Sequence, residues 1–128
     1  MPEKRVVLVG HCGPDASLLT RAVRDADPSA KVVVNSDESS LWAGPADLLL
    51  VNRVLDGWYK DGSGLRLIAE AVARGVPAMI ISNYADAQAA AVEVGAVQGF
   101  GKSEARSEKA ARAIRAALQT ERDAHADA

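Results

Sequence analysis

Apolar residues along this chain follow two rhythms that alternate. Arg5-Val-Val-Leu-Val9, Lys31-Val-Val-Val-Asn35, Asp47-Leu-Leu-Leu-Val-Asn52 and Ala78-Met-Ile-Ile-Ser82 are short, near-continuous apolar runs. Runs of this length, rich in β-branched and aliphatic residues, predict parallel strands buried on both faces. Between them the apolar positions recur at three- and four-residue spacing. Ala16, Leu19, Ala22, Val23 and Ala26 mark a helix over 14–26, opened by Pro14. Leu65, Ile68, Ala69 and Val72 mark another, stopped by Gly75 and Pro77, and Ala110, Ala111, Ile114, Ala117 and Leu118 mark a last one over 107–118. Capping and acidic residues predict a short helix in 36–44, and an alanine-rich stretch predicts one over 86–94 with Gly95 as its cap. A short fifth strand is expected near 97–100, a long glycine-bearing loop over 53–64, and a frayed tail over 120–128.

Five β/α units in succession predict a parallel sheet with helices on both faces, a three-layer α/β sandwich of the flavodoxin-like type. The simplest strand order is 2-1-3-4-5. It sets the carboxyl ends of strands one and three side by side, where ligands of open α/β sheets bind.

The 128 residues suffice for one core and not two, and 48% hydrophobic with 25% charged residues is ordinary for a folded domain. Fifteen Lys and Arg against seventeen Asp and Glu leave a formal charge of -2, which argues against nucleic acid or an anionic membrane as partner. Cys12 is the single cysteine and no long apolar run follows Met1, so the cytoplasm is the expected compartment.

Over roughly residues 4–119 the sequence resembles the receiver domain of two-component response regulators. In Asp47-Leu-Leu-Leu-Val-Asn52 the fifth residue beyond the opening Asp holds the place of the phosphoacceptor. Pro77-Ala-Met-Ile-Ile-Ser82 ends where receivers carry their switch Ser or Thr, and Gly95-Ala96 precedes Lys102 at the spacing of the receiver lysine. The resemblance implies a receiver-like domain over 1–119 and a role in signal transduction. It also implies helix four, strand five and helix five as a face for a protein partner or a second copy.

Receiver chemistry requires an acidic pair after strand one to hold Mg²⁺ and a carboxylate on strand three to attack a phosphoryl donor. Here Gly10 and His11 stand in place of the pair, and Asn52 in place of the nucleophile. An amide has the shape of a carboxylate without its charge or nucleophilicity. The expectation is a stand-alone, phosphorylation-independent pseudo-receiver, with no catalytic residue, no metal and no cofactor, acting through protein contacts. Ser82 and Lys102 are retained switch-like positions with no phosphoryl group to bind. Gly99 replaces the aromatic switch residue, with Phe100 one place later, Ser103 follows Lys102 where receivers usually have proline, and the loop after Asn52 is about four residues longer than usual.

Two other readings stay open. Asn52, Arg53, Ser82 and Lys102 form a neutral-to-positive set at the switch point, suited to an anion or small ligand. His11-Cys12-Gly13-Pro14 sits before a helix, where a thiolate is favoured, although Arg21 lies nine residues beyond Cys12 rather than the six of a C-x5-R phosphate cradle. In the loop, Trp58 and Tyr59 either form a contact surface or cover the sheet.

Overall fold

A computed structural model describes residues 3–127, with side chains to Gln119. The apolar runs form β1 (Arg5–Val9), β2 (Lys31–Asn35), β3 (Leu48–Asn52) and β4 (Ala78–Ile81). All pair in parallel in the order β2-β1-β3-β4, in register Val6↔Val32, Val6↔Leu48 and Leu50↔Met79. The helices are α1 (Gly13–Ala26), α2 (Glu38–Leu41), α3 (Gly64–Ala73), α4 (Ala85–Glu93) and α5 (Glu108–Asp127). The backbone of α5 thus runs through the segment 120–127 where a tail was expected; the side chains there lie outside the described residues.

Because successive strand residues face opposite ways, the sheet has two cores. Val6, Leu8, Leu48, Leu50, Met79 and Ile81 pack against α1 and α5. Val7, Val9, Leu49, Val51, Ala78 and Ile80 pack against α2, α3 and α4. Most of these strand side chains are fully buried, which is why the runs read as continuous rather than alternating. Asp37 caps α2 by accepting from the Ser40 backbone N–H at 3.0 Å, and Ser63 caps α3 by accepting from that of Arg66 at 3.1 Å.

The expected fifth strand is reduced to a single parallel bridge between Ile81 and Phe100. The segment does lie beside β4: Val97 donates its backbone N–H to the Ala78 carbonyl at 2.9 Å, and Ser82 donates to that of Phe100 at 3.1 Å. Between those points the ladder is interrupted by a side chain from α4. The Gln88 amide donates to the carbonyls of Ile80, Ser82 and Phe100 at 3.0–3.2 Å, and its oxygen accepts from the Gly99 N–H at 3.2 Å. A Cβ at Gly99 would lie 2.1 Å from the Ile80 carbonyl oxygen, so only glycine allows this approach. Phe100 is 2% exposed and belongs to the core under α1 and α5.

Candidate functional site at the mouth of the sheet

The carboxyl ends of β1, β3 and β4 open onto one mouth, and its two halves are built differently. On the β1 side, the chain turns at Gly10 with φ of +76°, the left-handed region that favours glycine. Its carbonyl accepts two hydrogen bonds, from Asn52 Nδ2 at 2.9 Å and from the Asp56 backbone N–H at 3.0 Å. Leu55, itself buried, rests on the glycine: a Cβ there would lie 2.6 Å from Leu55 Cδ2. The position that the resemblance gives to a metal-binding acid is therefore covered by an aliphatic side chain, and its backbone oxygen is bonded to amides. The residues present do not fit a hard cation, which needs a cage of negative oxygens.

The loop after β3 makes this cover. Leu55 donates its N–H to the Gly62 carbonyl at 2.9 Å, closing the loop on itself. Its far part runs beside the end of β2, where Trp58 bridges Asp37 in parallel, donating to Ser36 at 2.8 Å and accepting from Glu38 at 2.9 Å. Gly57 is required at this contact, since its φ is +136° and a Cβ would meet the Ser36 carbonyl at 2.4 Å. Glu38, 5% exposed, anchors the loop from below. It accepts from Lys60 N at 3.1 Å and takes the Arg66 guanidinium in a two-pronged pair at 2.8 and 3.0 Å. That guanidinium holds the Glu38 carboxyl down at about 2 despite the opposing effect of burial.

The two loop rings part company. Tyr59 turns inward, its hydroxyl donating to Asn35 at 2.8 Å, and burial pushes the phenol up to about 12. Trp58 turns outward and is 85% exposed. Thus one ring covers the sheet and the other is presented to solvent on a pinned backbone.

His11 points down into the protein. It is 8% exposed, and its Nε2 lies 2.9 Å from the Leu50 carbonyl, which can only accept, so Nε2 carries the proton. Nδ1 has no partner. Burial holds the imidazole below its ordinary pKa, outweighing the bond to Leu50, and keeps the ring neutral near pH 7. Cys12 is exposed at the N-terminus of α1, and among the described residues no hydrogen bond joins its thiol to His11, whose Nε2 faces the Leu50 carbonyl. Nucleophile and base are therefore not joined as covalent catalysis needs.

The β3–β4 side is open. Asn52, Arg53, Ser82 and Lys102 line one cleft of about 370 Å³, together with Asn83 and Tyr84. Lys102, in the turn before α5, reaches across to Asp15 of α1 at 2.7 Å, and this ammonium holds the Asp15 carboxyl below the usual range. Ser82 is buried and accepts from the Tyr84 N–H at 3.1 Å. Arg53 stacks over the Tyr84 ring, 5.0 Å from its centroid. The sequence brought the four cleft residues forward, but not Asp15, Leu55, Glu38 or Arg66. Asp15 reads as an ordinary acidic residue of a first helical turn, and nothing in its spacing announces a partner 87 residues away.

Among the described residues no three His, Cys, Asp or Glu side chains gather where one ion could be held, and no helix is long and apolar enough to cross a membrane. No protein-family model matches the chain, and no curated protein matches it either. Solved structures do match. The CheY-like receiver domain of a response regulator from Methanospirillum hungatei JF-1 superposes with a TM-score of 0.74 at 14% identity, covering 95% of this chain and 98% of its own. NtrX from Brucella abortus gives 0.72 at 20% identity over 98% of this chain and 29% of its own. The signal receiver domain of a DNA-binding response regulator from Colwellia psychrerythraea 34H gives 0.61 at 19% identity over 79% and 87%. The chain has the fold of the response-regulator receiver domain.

Proposed function

We propose that this chain is a phosphorylation-independent signalling module, a pseudo-receiver that acts by contact with a protein partner or a second copy. The observation that supports it best is the pair of amides on the Gly10 carbonyl, Asn52 Nδ2 and Asp56 N, under the cover of Leu55. Phosphotransfer to a receiver needs a carboxylate nucleophile and a metal beside it. In this reading the nucleophile's place is a hydrogen-bonded amide and the metal's place is filled by hydrocarbon. Similar folds include a beryllofluoride-activated receiver dimer and a phosphorylated phytochrome response regulator. The expected contact faces are the one inferred from the resemblance, comprising α4, the segment around Phe100 and α5, and the pinned loop that presents Trp58. No enzymatic step is assigned to the chain, and the cytoplasm is its proposed place.

Incubation of the protein with acetyl phosphate and Mg²⁺ should leave its intact mass unchanged. A gain of one phosphoryl group mapped to the mouth of the sheet would overturn the reading.

A second reading, an anion- or ligand-binding domain, is favoured by the cleft on the β3–β4 side, where Asn52, Arg53, Ser82 and Lys102 meet. Saturable stabilisation by sulfate is its test, because only a ligand that binds the folded state raises the melting temperature in this way.

A further inference from the structure

The cleft at Asn52 has a neighbour across Arg53 and Tyr84. A second, larger cleft of about 700 Å³ lies between the start of α3 and α4, and the two share Arg53, Val54 and Tyr84 as a common wall. Its volume lies within the range of small-molecule sites, roughly 300–1,000 Å³. The two chambers differ in chemistry. Among the described residues no carboxylate lines the smaller one; its polar side chains are Asn52, Arg53, Ser82, Asn83, Tyr84 and Lys102. Among the described residues the Arg53 guanidinium forms no ion pair and no side-chain hydrogen bond, and it lies over the Tyr84 ring. Lys102 gives one of its three donors to Asp15. The N-cap of α4, Tyr84, gives the helix no side-chain cap, and in its first turn Asp86 accepts from the Ala87 N–H at 3.0 Å.

In the larger chamber, Leu65, Ile80, Ala87 and Ala90 make an apolar lining, with Val54 55% exposed at its rim and Asp86 as its acid. Small alanines on α4 keep it open. A donor-rich chamber beside an apolar one calls for a ligand with the complementary division.

We propose that the two clefts form one binding site for an amphiphilic oxyanion, a small molecule whose carboxylate or phosphate head lies between Arg53 and Lys102 and whose apolar body lies along Leu65, Ile80, Ala87 and Ala90. The proposal deepens the ligand-binding reading and is independent of whether phosphotransfer has been lost. The head replaces solvent at Arg53, and the body buries the exposed faces of Val54 and Tyr84, so each half contributes separately.

The probes are sodium octanoate and octyl phosphate, with acetate, inorganic phosphate and octanamide as the partial ligands, titrated into the full chain and followed by backbone amide NMR. The account expects saturable shifts at Arg53 and Ser82 and also at Ala87 and Ala90 with octanoate or octyl phosphate. It expects octanamide and acetate to bind at least tenfold more weakly than octanoate, and inorganic phosphate more weakly than octyl phosphate. Arg53→Ala should weaken the octanoate response about tenfold, and Ala90→Leu should abolish it while leaving inorganic phosphate unaffected. If Ala90→Leu does not fold, the shift map of the unaltered protein decides. Octanamide binding as tightly as octanoate, or shifts confined to the smaller cleft with octanoate no tighter than acetate, would overturn the proposal. The second of those results, with sulfate still saturable, would leave the simpler anion reading standing.

Discussion

The two halves of the mouth are built in opposite ways, one closed and one open. On the β1 side the end of the strand is closed by packing: Leu55 sits on Gly10, Tyr59 bonds to Asn35, and the Glu38–Arg66 pair holds the loop down. On the β3–β4 side Asn52 borders an open, donor-lined cleft whose lysine is balanced by Asp15. The difference teaches where function can still reside. A filled pocket can only transmit through its outer surface, here the exposed Trp58, whereas an open one can still admit a molecule.

The closed half should be the more fragile to substitution. Gly10→Ala would place a methyl against Leu55 in a left-handed backbone, and a loss of about 3 kcal/mol in chemical denaturation is expected. Loss of less than 0.5 kcal/mol would mean that the loop is not seated on the glycine. Arg66→Ala should cost about 2 kcal/mol, because it leaves the buried Glu38 carboxylate with only Lys60 nearby. Since the folded pKa of Glu38 is about 2 against an ordinary 4.5, the folded state binds its proton less readily than the unfolded chain. Its stabilisation is complete above pH 4.5 and is lost as the pH falls from there toward about 2. Denaturation midpoints measured across that window should fall less steeply in Glu38→Gln than in the unaltered protein.

Much of the closed half was hidden from sequence reasoning for a physical reason. Strands and helices are written in local periodicity, so β1 to β4 and the larger helices could be read from their own residues. The pairs that fasten the mouth join residues far apart: Glu38 to Arg66 across 28 positions, and Lys102 to Asp15 across 87. A charged residue carries no local sign of its partner. The missing fifth strand has a similar cause, since Val97 and Phe100 have strand character but Gln88, on another element, takes up the bonds a ladder would use. The open half was more legible, because Asn52, Ser82 and Lys102 stand at positions that the receiver resemblance singles out, and Arg53 follows directly from Asn52 in the chain.

His11 lies at the boundary of the two halves, and its titration sharpens the comparison further. Burial lowers its folded pKa below the 6.5 of an exposed histidine, so this contribution is present above pH 6.5 and is lost as the pH falls below it. An imidazole NMR titration should give His11 an apparent pKa below 6.5. A value above 6.5 would mean that Nδ1 has found an anionic partner. The smallest effect on stability belongs to the open half: Arg53→Ala removes only an exposed stack on Tyr84, and a change of about 0.5 kcal/mol or less is expected in thermal or chemical unfolding.

Beryllofluoride with Mg²⁺, which mimics a phosphoryl group on a receiver aspartate, addresses the central claim most directly when titrated against the backbone amide spectrum. The amides of Gly10, Asn52, Ser82 and Lys102 should not move with the two reagents together any more than with Mg²⁺ alone. Saturable shifts at those four positions that require both reagents would contradict the account.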